Sequence, residues 1–339
     1  MSFLRPSDEP SVAVRQLAQW LEATDPDPLL IETSGSTGRP KGVVLERDAV
    51  VASAEASARR LEGSGRWLLA LPSSYVAGVQ VVVRSLLAGH EPIVVDGLAV
   101  ARAAAADRTD TPAFISLVPT QLHRILGDPV QIAALARMHT VLVGGGGLDA
   151  QLRARAEQEG VHVVVTYGSS ETAGGCVYDG RPLDGVELAL DDTGRVRIGG
   201  PTLFSHYDAD PALTAECLVD GWFLTSDTGR FDETGRLRLT GRIDDVVISG
   251  GVKIPAPAVA ERLRQHALVE DAEVFGVPDV EWGQRVVAVL VGTAADPELR
   301  DWVGMVHPRS WAPSQFVWVD ELPRLRNGKV DQQAIRAAL

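Results

Sequence analysis

The stretch best equipped for chemistry is Leu29-Leu30-Ile31-Glu32-Thr33-Ser34-Gly35-Ser36-Thr37-Gly38-Arg39-Pro40-Lys41-Gly42-Val43. Gly35, Gly38 and Gly42 let backbone N–H groups turn inward, Thr33, Ser34, Ser36 and Thr37 add hydroxyl donors, and Lys41 adds a positive charge. Such a loop suits a polyphosphate. It is not a Walker A loop, because Pro40 precedes the lysine and Gly42 follows it, where a P-loop needs Gly-Lys-Ser/Thr running into a helix. A plain turn between two strands would explain the glycines but not four hydroxyls and a lysine together. A second concentration is the glycine run 144–147, which follows an apolar stretch and precedes DAQLRARAEQ. Taken alone, Gly145-Gly146-Gly147-Leu148-Asp149-Ala150 fits the degenerate GxGxxA dinucleotide fingerprint, so a nicotinamide oxidoreductase is the rival reading from another class. Against it, the next apolar run, VHVVVTYGSS, ends without the carboxylate that would hold a ribose. The seven histidines show no HExxH or other ligand spacing, and Cys176, with no histidine beside it, reads as a small buried residue rather than a nucleophile.

Elements must hold these residues in place, and the first half of the chain supplies them by alternation. Strand-like RWLLALP (66–72), PIVVD (92–96), AFISLVP (113–119), TVLV (140–143) and VHVVVTYG (161–168) alternate with Ala-rich helical stretches and the helix-like VAGVQVVVRSLLAG (76–89). That pattern predicts an α/β fold with a largely buried sheet. After Asp184 short segments separated by Asp-Gly, Thr-Gly and Gly-Gly predict antiparallel hairpins. From Val246 a helix at 258–267, strands in EVFGVP and RVVAVLVG, a helix near 296–305 and a last strand in SQFVWVD predict a compact α+β unit. The boundary is expected at Gly241-Arg242-Ile243-Asp244-Asp245, giving a large domain 1–243 and a small mobile domain 244–339. A length of 339 residues agrees with about two domains at a prior of ~150 residues each. Lysine and arginine number 32 against 45 acids, a net charge of −13, which repels nucleic acid and anionic membranes, so an anionic ligand must be held locally. No run approaches the ~20 apolar residues of a membrane span. Two cysteines without CxxC spacing and an N-terminal stretch free of an apolar core predict a cytoplasmic protein, either a monomer or a homo-oligomer.

The loop TSGSTGRPKG resembles the nucleotide-phosphate loop of the adenylate-forming superfamily of acyl-CoA synthetases, peptide-synthetase adenylation domains and luciferases. Four further stretches match that superfamily in order. Tyr167-Gly168-Ser169-Ser170-Glu171-Thr172 is similar to its YGxTE, Thr225-Ser226-Asp227-Thr228-Gly229 to its TGD, Gly241-Arg242-Ile243-Asp244-Asp245 to its GRxDD hinge, and Asn327-Gly328-Lys329 to its C-terminal GK. The likeness runs from residue 33 to residue 329 and implies a large adenylate-forming domain with a small mobile cap.

The implied reaction has two steps: a carboxylate attacks the α-phosphorus of ATP to give acyl-adenylate and pyrophosphate, then a thiol, usually coenzyme A, displaces AMP. The first step brings an anion onto a polyanion, so cations near the α-phosphate should supply most of the rate. By resemblance Thr33, Ser34, Gly35, Ser36, Thr37, Gly38 and Lys41 hold the phosphates, and Glu171 holds Mg²⁺, a hard cation that seeks oxygen. Gly145, Gly146, Tyr167 and Gly168 line the adenine and acyl pocket, Asp227 accepts from both ribose hydroxyls with Arg242 nearby, Lys329 bridges the acid and the α-phosphate, and Asp244 is the hinge. Three departures stand out. Only 32 residues precede Thr33 where the superfamily has a long N-terminal subdomain; Tyr75 stands where a gate histidine is usual; Ala258 and Ala260 replace acids that follow the hinge.

Within the superfamily, YVAGVQVVVRSLLAG and SLVPTQLHRIL look most like the o-succinylbenzoate–CoA ligases of menaquinone biosynthesis. Arg84 lies inside an otherwise apolar run that reads as a buried helix, where an unpaired guanidinium costs several kcal/mol. Something anionic should meet it: a structural carboxylate, or a second carboxylate on the substrate. Ser116, Thr120, Tyr75 and Ser169 are the other expected contacts to the acid. An aryl or dicarboxylic acid other than o-succinylbenzoate is the alternative substrate.

Overall fold

The computed structural model describes residues 2–33, 41–106, 111–324 and 330–338. These form two compact units, the first running to Ala189 and including Arg197–Leu224, the second comprising Leu190–Val196 and the described residues from Thr225 on.

In the first unit, α1 (Pro10–Glu22) is capped by the Glu9 carboxylate, which accepts from the amides of Ser11 and Val12. Strands β1 (Leu29–Thr33) and β2 (Lys41–Leu45) pair antiparallel with Thr33 opposite Lys41, so the ends of the hydroxyl- and glycine-rich loop are pinned together. After α2 (Arg47–Arg60) the main sheet begins: β3 (Arg66–Leu69), α3 (Val76–Leu87), β4 (Ile93–Val94), α4 (Val100–Ala106), β5 (Ala113–Leu117), α5 (Pro119–Ile125), α6 (Pro129–Leu135), β6 (Thr140–Val143), α7 (Ala150–Gln158), β7 (Val163–Ser169), β8 (Gly174–Tyr178) and β9 (Arg181–Pro182). The spatial order is β4-β3-β5-β6-β7-β8-β9, parallel from β4 through β7 and antiparallel beyond. Strands covered on both faces are largely apolar, and Phe114–Leu117 and Thr140–Val143 are buried throughout, Ser116 and Thr140 included. Leu68, Ile115, Leu117, Val141, Val143 and Val163 pack with Leu122 and Ala156 of the flanking helices.

The chain continues through β10 (Glu187–Leu190) and β11 (Arg195–Gly199) to β12 (His206–Tyr207), which pairs antiparallel with β2, Tyr207 opposite Val43. Helix α8 (Pro211–Cys217) starts on an Asp210 cap and leads into β13 (Leu218–Val219) and β14 (Trp222–Phe231).

In the second unit the far half of β14 pairs with β15 (Leu237–Arg242). That pairing carries residues from Thr225 into the second unit, upstream of residue 243, where sequence alone divides the chain. Then come β16 (Val246–Ser249), β17 (Val252–Pro255), α9 (Ala256–Arg264), β18 (Val269–Asp279), β19 (Gly283–Gly292), α10 (Asp296–Gly304), β20 (Gln315–Trp318) and α11 (Gln332–Ala338). The sheet order is β17-β16-β19-β18, with β20 parallel to β19. Ile254, Val259, Leu263, Val274, Val286 and Leu290 form the core between α9 and this sheet. The mixed α/β first unit, the hairpins and the final α+β unit all match the sequence expectation.

Candidate active site

In an open parallel sheet, ligands bind beyond the carboxyl ends of the strands. Most of the expected residues of the first unit lie at that edge. Ser116 is on the last half of β5 and is buried; Thr120 is in the first turn of α5; the glycine run follows β6; Tyr167, Gly168 and Ser169 end β7. Tyr75 precedes α3 as its N-cap residue. Gly144 is required by close packing, since a Cβ there would lie 2.4 Å from Thr166 Oγ1, and Gly168 likewise, with Gly174 O only 2.1 Å away across the bulge between β7 and β8. The nicotinamide reading fails on Asp149. Its carboxylate caps α7 by accepting from the amides of Gln151 and Leu152, so the helix N-terminus that would hold a pyrophosphate already faces an anion.

Past β7 the chain makes a short 3-10 turn, Ser170–Thr172, held by the Thr172 hydroxyl, which accepts from the Ser169 amide at 2.9 Å and donates to Gly174 O at 2.7 Å. The turn presents Glu171. Its Oε1 accepts from Tyr207 Oη at 2.8 Å, and its carbonyl accepts from the Phe204 amide at 2.9 Å. Lys41 Nζ stands 5.5 Å from the centroid of the Tyr207 ring. One buried tyrosine therefore ties the cation at the loop's end to the carboxylate of the YGSSET segment. Burial, and then the negative charge of Glu171, push the Tyr207 hydroxyl above its ordinary range, so it remains a donor. Sequence reasoning missed Tyr207; the only local sign is an aromatic residue in the polar SHYDADP just before a Pro-started helix.

Among the described residues, no group of three or more ligating side chains surrounds Glu171. One carboxylate with Oε1 engaged by Tyr207 still leaves Oε2 to a cation, and Mg²⁺ binds through one or two carboxylates plus phosphate oxygens, so the donor set fits it. Cys176 is fully buried and its thiol is pushed up to about 12 by that burial, an inert packing residue as expected.

Arg84 is not at the strand-end edge. It sits in the third turn of α3, 7% exposed, with its guanidinium 5.1 Å from the centroid of Trp67 in the first half of β3. Nη2 donates to Tyr178 Oη at 3.2 Å; Nε is buried with no hydrogen-bond partner, and among the described residues no carboxylate pairs with Arg84. The structural counter-ion that would have explained this arginine away is therefore missing from the described residues. One turn earlier Gln80, 1% exposed, spends its amide donors on Val50 O and Ala173 O while its Oε1 has no partner.

In the second unit Asp227 and Arg242 are register partners across β14 and β15, with Arg242 Nη1 donating to Asp227 Oδ1 at 3.1 Å. Thr225 Oγ1 accepts from the Asp227 amide at 3.0 Å and donates to Val196 O, which fixes the TSD turn. Asp244 falls in the short 3-10 turn Ile243–Asp245. Ser34, Gly35, Ser36, Thr37, Gly38 and Lys329 lie outside the described residues.

Residues 6–207 match the AMP-binding enzyme family, and residues 258–329 match the AMP-binding enzyme C-terminal domain. The chain belongs to the AMP-binding enzymes. This AMP-binding enzyme is 40% identical over 324 residues to a Mycobacterium tuberculosis (strain ATCC 25618 / H37Rv) protein named "Probable 2-succinylbenzoate--CoA ligase", covering 91% of this chain and 83% of the relative. It is similar to the o-succinylbenzoate CoA synthetase of Bacillus subtilis solved with its acyl-adenylate intermediate, at 27% identity and a TM-score of 0.80 over 91% of this chain and 68% of the other. The same Bacillus subtilis enzyme solved with ATP and a magnesium ion matches at 26% identity and a TM-score of 0.80, covering 91% and 69%.

Proposed function

We propose that this AMP-binding enzyme is an ATP-dependent acid–thiol ligase that converts o-succinylbenzoate through its acyl-adenylate to the coenzyme A thioester. The observation that carries the reading is the linkage of Lys41 and Glu171 through Tyr207, a cation and a carboxylate fixed beside the closed ends of the hydroxyl- and glycine-rich loop. The names of the relatives, and a buried Arg84 with no carboxylate partner among the described residues, support a substrate with a second carboxylate.

In the first step the acid's carboxylate oxygen bonds to the α-phosphorus and pyrophosphate leaves. In the second the coenzyme A thiol, losing its proton, attacks the acyl carbon and AMP leaves. Thr33, the loop hydroxyls and Lys41 hold the phosphates; Gly145, Gly146, Tyr167 and Gly168 face the adenine; Asp227 accepts from the ribose hydroxyls beside Arg242. Glu171 is the residue that would hold Mg²⁺, which when bound offsets charge on the phosphate oxygens. Tyr75, Ser116, Thr120 and Ser169 bound the acid, and Arg84, deeper than the strand ends, meets the carboxylate that does not react. Lys329 bridges the reacting carboxylate and the α-phosphate during adenylation. Residues 1–243 and 244–339 work as large domain and cap about Asp244; Asp244→Pro, fixing φ near −65°, should impair thioester formation more than adenylation, and equal loss in a folded variant would remove the hinge. The cytoplasm is the compartment this reading assigns, and no described helix is long and apolar enough to cross a membrane.

Acid-dependent pyrophosphate release across a panel of carboxylic acids tests the reading. O-succinylbenzoate should give the highest kcat/KM. Release stimulated by no acid, or best by a monocarboxylic acid, would contradict it; a different aryl diacid in first place would select the alternative substrate.

A further inference from the structure

Among the described residues, Arg84 is held by groups that carry no charge. Its guanidinium lies over the Trp67 ring, and its one hydrogen bond to a described residue goes to Tyr178 Oη. Tyr178 ends β8 and is 2% exposed; its hydroxyl lies 2.8 Å from Ser57 Oγ on α2, and Ser57 is fully buried. Because Arg84 can only donate, the Tyr178 oxygen accepts from it and the Tyr178 proton is free to go to Ser57. The chain Arg84 to Tyr178 to Ser57 therefore runs in one direction. A long side chain with several rotamers is held by a ring below it and a hydroxyl at one corner, while its Nε is buried without a partner among the described residues. A carboxylate in the place of Tyr178 would neutralise the guanidinium; a hydroxyl orients it and leaves its charge in full. In a water-poor interior that charge is worth far more to an incoming anion than at the surface.

We propose that Tyr178, backed by Ser57, is a positioning residue that aims the Arg84 guanidinium at the non-reacting carboxylate of the substrate and so sets the preference for a diacid. The inference rests on the Arg84 reading above and adds to it the device that keeps an unpaired arginine oriented.

The test compares kcat/KM for o-succinylbenzoate and for a monocarboxylic analogue that retains only the reacting carboxylate, in the wild type, Tyr178→Phe, Ser57→Ala, Arg84→Ala and the Arg84→Ala/Tyr178→Phe double variant. Tyr178→Phe keeps the ring and removes the hydroxyl. It should lower kcat/KM for the diacid about 2- to 10-fold, less than removing the guanidinium itself, mostly through KM, and leave the analogue within about 2-fold. Ser57→Ala, the milder change should Tyr178→Phe fold poorly, should show a smaller loss of the same selectivity. On the Arg84→Ala background Tyr178→Phe should cost the diacid nothing more, because the group it positions is gone. Equal losses on both acids, or a full further loss on the Arg84→Ala background, would overturn the positioning role while leaving Arg84 as the anchor. If Arg84→Ala itself fails to discriminate the two acids, the anchor reading falls and the positioning role with it.

Discussion

Two clusters in the first unit treat charge in opposite ways. At the strand-end edge Glu171 and Lys41 share one tyrosine, which donates to the carboxylate and offers its ring to the ammonium, so two half-buried opposite charges are linked through one neutral side chain. Within the α3 face Arg84 has a ring and a hydroxyl for company and is 7% exposed. On the function proposed above, charges that serve any acid meet the nucleotide and are already linked to one another through Tyr207. A charge that must select one acid gains by being left unbalanced until that acid arrives, at a cost in folding stability. On that proposal, the difference separates groups common to the reaction from a group particular to the substrate.

The largest effect belongs to the common chemistry. Lys329→Ala should reduce adenylate formation by about 10² or more, the scale of removing one preorganised charge, on diacid and monoacid alike. Thioester formation from supplied acyl-adenylate should be nearly intact, and rapid-quench measurement of the two half-reactions checks this. Parallel loss in both steps would detach Lys329 from adenylation.

Next in size is Arg84→Ala, which should cost o-succinylbenzoate roughly 10- to 150-fold in kcat/KM, the range of a lost charge-assisted contact. The monocarboxylic analogue should lose far less. Were both acids to lose equally while the melting temperature fell, Arg84 would belong to the fold and the two clusters would no longer differ in kind.

Tyr207→Phe sharpens the other side. It keeps the ring under Lys41 and removes the donor to Glu171. Outer partners of a metal-binding carboxylate typically affect affinity 10- to 100-fold, so the Mg²⁺ concentration for half-maximal pyrophosphate release should rise about 10-fold, whichever acid is supplied. An unchanged Mg²⁺ requirement would mean that Tyr207 holds only the fold.

The smallest effect is a control for what a buried charge does when no ligand meets it. Glu273 on β18 is pushed up to about 7 by burial, opposed by Arg264 and reinforced by Asp271 and Asp245. A folded-state value above the ordinary 4.5 means that the protonated form is favoured by folding, so this contribution is full below about 4.5 and is lost as pH rises to about 7. The melting temperature should fall over that window in the wild type, and Glu273→Gln should flatten the fall without altering activity at neutral pH. A Glu273→Gln profile parallel to wild type would contradict the assignment.

Much of this was legible in the sequence, and for physical reasons. Buried parallel strands cannot hide their composition, so AFISL and TVLV read directly as β5 and β6. PIVVD shrank to Ile93–Val94 because β4 is an edge strand with Val94 47% exposed, where the burial pattern loses its force. At the site, the loop, the YGSSET segment and the oddity of Arg84 were visible because residue types and local spacing carry them. Tyr178 and Tyr207 were not: each acts on a partner 94 and 36 residues away in the chain, respectively, and only the pairing of β8 with β7 and of β12 with β2 brings them there. The β14–β15 pairing that draws Thr225 onward into the second unit is likewise a contact between segments, not a composition.

The most direct test of the division between common and selective charge is a single set of kcat/KM values for o-succinylbenzoate and its monocarboxylic analogue in the wild type, Glu171→Gln and Arg84→Ala. Glu171→Gln should depress both acids by a similar factor, about 10² or more, leaving their ratio at the wild-type value, whereas Arg84→Ala should collapse that ratio by 10-fold or more. A ratio unchanged by Arg84→Ala, or one that shifts as much in Glu171→Gln, would contradict the account.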